Sequence, residues 1–254
     1  MSLLLIHSLP IPWAKVGNLQ HGVLPIYLAL IGFIIFWFGS KSEKIKAYYF
    51  KKHNHDEAWL RFIFMTKWLG FFAMGLIPLL ILCITDHSHS LSFYGLIPNT
   101  DTLLFSLLWT LGLSIIVIPL ASFSAKKPKN LINYPQIRAK VWTKRTLVLN
   151  LFGWFIYLFG YELMFRGWLL FPLIESYGVA TAIAINIALY SATHIPKGLD
   201  ETLGAIPLGL VLCLLTIQSG DIWIAVLVHV AMSWSNSLTA LKHHPDIHYT
   251  SRNA

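Results

Sequence analysis

Charged residues and cysteines are scarce in this chain. Only 12% of its 254 residues are Asp, Glu, Lys or Arg, whereas 56% are hydrophobic. A soluble domain typically has about 25% charged residues, so this composition excludes an ordinary soluble or disordered protein. The two cysteines, Cys83 and Cys213, both lie in apolar stretches. The sequence therefore predicts neither a disulfide framework nor a zinc-type cysteine pair.

Several familiar patterns are also absent. There is no serine elbow, no H-E-x-x-H, no pair of aspartates in facing apolar segments and no glycine-rich phosphate loop. Residues 1–13 lack a basic region and a small-residue cleavage site, so we do not expect a signal peptide. The formal net charge of +8 could indicate nucleic-acid binding. The basic residues, however, cluster in loops beside apolar runs, where membrane topology explains them, and no nucleic-acid partner is expected.

Long apolar runs dominate what is present. In lipid such runs must be helical, because every backbone polar group needs a partner within the segment. Their lengths predict an all-α fold, a polytopic transmembrane helix bundle of about seven spans. The predicted spans are 24–39, 68–84, 102–123, 146–174, 179–194, 202–218 and 222–241.

The loops between these spans differ in charge and predict an orientation. Segments 40–58 and 124–145 are rich in Lys and Arg, whereas 85–101 has neither. The positive-inside rule then places both basic loops in the cytoplasm and the amino terminus outside. We expect a multi-pass protein of the plasma (cell inner) membrane whose surroundings are membrane lipid.

The distribution of polar residues divides the chain into three parts. Residues 1–145 hold amino-terminal spans and basic loops, 146–241 form a core with polar groups inside its spans, and 242–254 are a polar tail. Three tail histidines, His243, His244 and His248, could take up a metal, although a polar surface tail is the simpler interpretation. Any chemistry is expected in the second half of the chain.

Glu162 and Arg166 are the most conspicuous polar residues of that core. Of eleven carboxylates, only Glu162 falls well inside a membrane-length apolar run. An ionisable group there costs about 2.5 kcal/mol or more, which makes it a functional-site candidate. The i, i+4 spacing puts both charges on one helix face, so they could equally neutralise each other and hold two helices together.

Two further spans carry polar stripes at helical spacing. The stripes are Asn186, Tyr190 and His194 in the fifth span, and His229, Ser233 and Asn236 in the seventh. Intramembrane polar groups are expected to face the bundle interior and each other. A carboxylate with an imidazole could activate a water. Alternatively, Glu162, His194 and His229 could bind zinc; no cofactor is required by the sequence, and zinc is only an option.

Three motifs in order resemble the CPBP intramembrane proteases, the family of CAAX prenyl endopeptidases and Abi-type bacteriocin self-immunity proteins. That family carries Glu-Glu-x-x-x-Arg, Phe-x-x-x-His and His-x-x-x-Asn. The matching segments here are Tyr161-Glu-Leu-Met-Phe-Arg166, Tyr190-Ser-Ala-Thr-His194 and His229-Val-Ala-Met-Ser233. The resemblance implies an intramembrane endopeptidase that hydrolyses a peptide or membrane-protein substrate.

Two positions depart from the family pattern. The first glutamate, which in the family activates the attacking water, is Tyr161, and only the second, Glu162, is retained. Ser233 stands in place of the asparagine. By resemblance, His194 assists the water, and His229 with Ser233 stabilises the oxyanion. A tyrosine, with an ordinary pKa of about 10, is a poor base at neutral pH.

The sequence offers three ways to restore chemistry at this site. Glu162 could turn toward the substrate, Tyr161 could act as an acid or oxyanion donor, or Glu201 could enter from the mouth with Lys197 behind it. An ordinary solvated pair is the plain interpretation of Lys197 and Glu201. Two other functional hypotheses stay open: a catalytically impaired pseudoprotease that acts as a membrane binding or immunity protein, and a transporter or channel.

Overall fold

A computed structural model of the protein describes residues 19–251. The expected lack of a signal peptide at residues 1–13 and the outside position of the amino terminus concern residues outside this range. The helices are α1 Leu19–Ser40, α2 Glu43–Lys52, α3 His55–Gly70, α4 Ile77–Thr85, α5 Leu103–Ala125, α6 Pro128–Leu131, α7 Lys144–Glu162, α8 Leu170–Tyr177, α9 Val179–Ala192, α10 Leu199–Ser219 and α11 Trp223–His243.

Two π-helical segments join neighbouring helices into longer rods. Phe71–Leu76 connects α3 to α4, and Leu163–Trp168 connects α7 to α8. Short 3₁₀ turns cover Thr100–Thr102 and Ile195–Lys197. A π-helical turn widens the backbone spiral by one residue and recurs at functional sites. The second π-helical segment contains Arg166 and begins directly after Glu162, so it sets the direction in which both charges point.

Seven helical rods of the described part are long and apolar enough to cross a membrane. They are Gly22–Ser40, His55–Thr85, Thr100–Ala125, Lys144–Tyr177, Val179–Lys197, Leu199–Ser219 and Trp223–His243. The predicted all-α bundle of about seven spans is therefore confirmed, and the chain is a multi-pass membrane protein.

The second rod begins earlier than the sequence predicted. Its helix starts at His55, whereas the apolar run suggested a start at 68 and a loop over 40–58. The Asn54 side chain accepts a hydrogen bond from the Glu57 backbone N–H and caps the helix. Glu57 then pairs with Arg61 one turn on and with Arg145 of α7. Capping and paired charges thus extend the helix beyond its apolar part, which hydropathy alone does not detect.

The core of the bundle lies around α7. This helix packs against α3, the first π-helical segment and α11, while α11 makes its largest contact with α5. Close packing is possible at Gly75 and Gly160, where a Cβ added to Gly75 would lie 2.7 Å from the Gly160 Cα. Because two backbones touch here, the rods of the second and fourth spans are held together just before the polar residues begin.

The tail is tied to the segment before α7. Strand β1, Val141–Trp142, pairs in parallel with β2, His248–Tyr249. Arg138 Nη1 lies 2.9 Å from His244 Nε2. Burial, and then the Arg138 charge, lower the pKa of His244. The tail thus closes one end of the bundle through side-chain and strand contacts.

Candidate active site

The buried charges Glu162 and Arg166 meet a histidine from another helix. Arg166 Nη1 lies 3.2 Å from Glu162 Oε2, and Glu162 Oε1 lies 2.6 Å from His229 Nδ1. Glu162 and Arg166 are 0% exposed and His229 is 5% exposed. The single carboxylate is therefore shared between a guanidinium and an imidazole, in a part of the protein where the low dielectric strengthens both contacts.

Arg166 is held by more than its ion pair. Its guanidinium lies 4.2 Å from the centre of the Tyr190 ring, and Nη2 donates to the Gly209 carbonyl at 3.5 Å. A planar guanidinium stacks well on an aromatic face. Gly209 allows this approach, because an added Cβ would lie 3.1 Å from the Tyr190 ring. Arg166 thus joins α7, α9 and α10 around Glu162.

Tyr161 lies between the two predicted histidines. Its ring packs edge-on against His194, with centroids 6.4 Å apart, and against His229, at 5.8 Å. The Tyr161 hydroxyl lies 2.7 Å from Thr193 Oγ1, and Thr193 donates to the Tyr190 carbonyl at 2.7 Å. Because the threonine proton goes to a carbonyl, the Tyr161 hydroxyl is the donor to Thr193.

His194 falls just beyond the helix in which the sequence placed it. Helix α9 ends at Ala192, and His194 stands in the turn that follows. Its Nδ1 lies 2.9 Å from the Tyr190 carbonyl, which keeps the imidazole close to the predicted stripe. Since a carbonyl only accepts, Nδ1 carries a proton, and the neutral ring presents Nε2 as an acceptor.

The other residues of the two polar stripes lie at different positions in the bundle. Asn186 is fully buried and donates to the Phe165 carbonyl, and Cys213 donates to its Oδ1 at 3.4 Å. Ser233 is half-buried, one turn after His229 on α11. Within residues 19–251 it makes no hydrogen bond. Asn186 therefore holds α9 to the π-helical segment.

The geometry does not fit the zinc option. No three His, Cys, Asp or Glu side chains of the described part are grouped closely enough to hold a metal ion. His229 Nδ1 and both oxygens of Glu162 already bind protein partners, and His194 faces Tyr161. Glu162, His194 and His229 thus do not make a metal site. The same holds for the tail histidines His243, His244 and His248.

The mouth pair is formed as its spacing predicted. Lys197 Nζ lies 3.7 Å from Glu201 Oε2, and the two side chains are 40% and 33% exposed. This i, i+4 pair joins the 3₁₀ turn that follows His194 to the first turn of α10. Glu201 therefore has its partner in Lys197 at the rim.

Sequence reasoning missed two polar residues near this site. Thr193, which binds the Tyr161 hydroxyl, belonged to no stripe, although its place directly before His194 could have marked it. Lys67 is only 5% exposed inside the second rod. Because that span was predicted to start at 68, this lysine lay one residue outside it.

One comparison with known proteins gave a match. Residues 143–235 match a protein-family model described as "Type II CAAX prenyl endopeptidase Rce1-like". All three motifs lie within the matched segment. The match confirms the resemblance to the CPBP and CAAX protease family. No curated protein and no solved structure matches the chain.

Proposed function

We propose that this protein is an intramembrane endopeptidase in which Glu162 and His229 together activate the attacking water. The fold is that of a CAAX-type intramembrane protease, as the family match supports. The observation that carries the proposal is the 2.6 Å contact between Glu162 Oε1 and His229 Nδ1. This contact supplies a carboxylate-assisted base although the family's first glutamate is missing.

The contact determines which nitrogen of His229 can react. A carboxylate only accepts hydrogen bonds, so Nδ1 carries the proton. In the neutral ring the lone pair is then on Nε2, which makes no hydrogen bond within the described residues. The same relation orients the histidine of hydrolase triads, where the carboxylate also stabilises the imidazolium that forms. Arg166 supplies the counter-charge for Glu162 throughout.

The reaction then follows in two proton transfers. His229 Nε2 accepts a proton from water while the water oxygen attacks the peptide carbonyl carbon. The tetrahedral intermediate collapses by breaking the carbon–nitrogen bond, and Nε2–H returns the proton to the leaving amine. His194 has no carboxylate partner within the described residues; its Nδ1 donates to the Tyr190 carbonyl, so its imidazolium would lack the stabilisation that Glu162 gives His229.

Tyr161 is the donor we assign to the oxyanion. Its ring contacts both imidazoles, and its single O–H, which donates to Thr193 in the structure, turns from Thr193 to the oxyanion when substrate is bound. Removing one oxyanion donor typically costs about 10²–10³-fold in rate. Ser233, one turn after His229, is a second hydroxyl on the same helix that could assist by resemblance.

The test compares variants of the purified protein with internally quenched peptides embedded in lipid nanodiscs. His229→Gln is expected to lower kcat/KM by about 10²–10⁴-fold, because the general base is lost. The matched control is His243→Gln on the same helix, whose ring binds only the Thr239 carbonyl and is exposed. The proposal fails if the parent cleaves peptides and His229→Gln cleaves them equally fast.

The pseudoprotease is the second candidate, and one observation favours it. No carboxylate occupies the position of the family's first glutamate, and the Tyr161 proton is directed to Thr193 rather than to substrate. If this candidate is right, the parent cleaves nothing and Tyr161→Glu creates activity. If the endopeptidase is right, the parent is active and His229→Gln abolishes the activity.

The membrane placement belongs to the same proposal. Basic segments 40–58 and 124–145 face the cytoplasm of a plasma membrane, because clustered Lys and Arg resist translocation. The substrate is a peptide or membrane protein that reaches the site within the lipid. Labelling of a cysteine introduced at Lys140, from the outside only and then after permeabilisation, tests this orientation; labelling from outside would reverse it.

A further inference from the structure

Helix α9 ends at Ala192 in a turn that frees one backbone carbonyl. In a continuing α-helix the His194 N–H would bond to the Tyr190 carbonyl, four residues back. Here it donates to the Ser191 carbonyl at 2.9 Å, as in a 3₁₀ turn. The Tyr190 carbonyl therefore accepts from two side chains instead, Thr193 Oγ1 at 2.7 Å and His194 Nδ1 at 2.9 Å.

This shared carbonyl connects two side chains of the candidate active site. His194 binds it directly, and Tyr161 reaches it through Thr193, because the Tyr161 hydroxyl lies 2.7 Å from Thr193 Oγ1. A carbonyl oxygen has two lone pairs, and the Thr193 hydroxyl and the imidazole take one each. The Tyr190 carbonyl can therefore release the threonine hydrogen and still keep a hydrogen bond from His194.

Turning of the Tyr161 hydroxyl toward an oxyanion changes what Thr193 can do. The Tyr161 oxygen then has its lone pairs free, and Thr193 Oγ1 lies within hydrogen-bonding distance of it. A threonine hydroxyl rotates freely, so its hydrogen can move from the Tyr190 carbonyl to the Tyr161 oxygen. Each oxygen keeps its own hydrogen, and only the direction of the hydrogen bond reverses. Because hydrogen bonds in a chain polarise one another, a hydroxyl that accepts one is a stronger donor.

We propose that Thr193 is a positioning residue that reverses its hydrogen bond and so strengthens Tyr161 as the oxyanion donor, an inference that rests on the proposed function. In the resting protein the Thr193 hydroxyl holds the Tyr161 oxygen in place beside both imidazoles. Tyr161 stands where the family has a glutamate, and Thr193 occupies a position that the second motif leaves open. The pair is thus a feature of this chain, and Thr193 acts on the reaction only through Tyr161.

Steady-state kinetics with the quenched peptides in nanodiscs test this role. Thr193→Val keeps the branched shape and removes the hydroxyl. It is expected to lower kcat about 3–10-fold, the loss of one net hydrogen bond, and to leave KM within about twofold, because the bond strengthens only in the transition state. Thr193→Ser keeps the hydroxyl and should retain kcat within about twofold. The matched control is Thr66→Val on the second rod, since the Thr66 hydroxyl also donates to a carbonyl three residues back at 2.7 Å.

A double-mutant cycle separates positioning from a merely structural role. Because Thr193 acts through Tyr161, Thr193→Val should change kcat by less than about twofold in a Tyr161→Phe background. An unchanged kcat of Thr193→Val in the parent background overturns the proposal, and so does an equal loss in both backgrounds. If Thr193→Val does not fold, Thr193→Ala takes its place in the cycle.

Binding of a tetrahedral anion tests the same contact without cleavage. The probes are two fluorescein-labelled apolar peptides, one with a phosphinate and one with an uncharged ketomethylene group in place of the cleaved amide, titrated by anisotropy. Thr193→Val should weaken phosphinate binding about 3–10-fold and leave ketomethylene binding within about twofold. Unchanged phosphinate binding overturns the proposal.

The two measurements distinguish this inference from the proposed function. If phosphinate binding depends on Tyr161 and Thr193 as expected but the parent hydrolyses no peptide, the positioning role stands and the endopeptidase activity fails. If the parent hydrolyses peptide and neither kcat nor phosphinate binding depends on Thr193, the endopeptidase stands and the positioning role is refuted.

Discussion

Replacing Glu162 by glutamine should destabilise the protein strongly. Glu162→Gln keeps the side-chain shape but removes the negative charge that faces Arg166 and His229. Arg166, 0% exposed, would keep neutral partners such as the Gly209 carbonyl and the Tyr190 ring but would lose its carboxylate. Breaking a buried ion pair on one side typically costs about 3–5 kcal/mol. At about 2–4 °C per kcal/mol, the midpoint of thermal unfolding should fall by roughly 6–20 °C.

Cys213 provides the assay for this change. Its thiol is fully buried, whereas Cys83 is half-buried. In a Cys83→Ser background, a thiol-reactive dye therefore reports unfolding when Cys213 becomes accessible on heating. The matched variant is Glu162→Gln/Arg166→Met, which removes both charges; replacing a whole buried pair is often close to neutral, so most of the lost stability should return.

The double variant also separates stability from catalysis. It restores the fold but not the carboxylate that orients His229, so hydrolysis should stay lost although unfolding returns toward that of the parent. If Glu162→Gln unfolds within about 2 °C of the parent, the buried pair contributes little, and the argument from burial is refuted. If the double variant hydrolyses peptide at the parent rate, Glu162 does not assist His229.

Two further predictions concern packing and pH. Gly160→Ala would bring a Cβ to 2.7 Å from the Phe71 Cα, so it should lower the free energy of unfolding by about 1–3 kcal/mol. Gly112→Ala, with nothing within 4 Å, should be neutral or slightly stabilising in the same heating assay; equal effects would contradict the close contact. Hydrogen bonding from Ser88 first, and then from His89, holds the pKa of Asp86 below its usual range. The folded-state pKa is thus below the unfolded one, so Asp86 stabilises the fold above about pH 5 and loses this effect as the pH falls through 4 and lower. Asp86→Asn should therefore be less stable than the parent at pH 7, and the difference should shrink in acid; a constant difference would refute this.

The spans were predictable because backbone polar groups in lipid must find their hydrogen-bond partners within the segment. An apolar run of sufficient length must become a helix, so seven runs predicted seven rods. The ends of the rods were not predictable in the same way. The start of the second rod at His55 depends on the Asn54 cap and on paired charges between Glu57 and Arg145, which are contacts with another helix. Hydropathy detects only the apolar part of such a helix.

The site was predictable in its residues and not in its contacts. The i, i+4 spacing of Glu162 and Arg166 indicated an ion pair within one helix, and the structure has it. The bond between Glu162 and His229 joins positions 67 residues apart, and it depends on how α7 crosses α11. Lys67 was missed for a related reason: it stands one residue before the predicted span, where a lysine normally anchors a helix at the membrane surface.

The missing first glutamate appeared, from the sequence, to decide whether this protein can hydrolyse anything. The contacts in the structure make the answer depend on His229 instead. A base needs a lone pair near the water and a means of stabilising its protonated form, and the Glu162 carboxylate at 2.6 Å provides the second requirement whichever residue stands at 161. Tyr161→Glu would then place a second carboxylate beside an imidazole that already has one. An active parent whose rate is lowered by Tyr161→Glu would support the role of the tyrosine at this site, and an unchanged rate would refute it, whereas activity that arises only with Tyr161→Glu would assign the protein to the pseudoproteases.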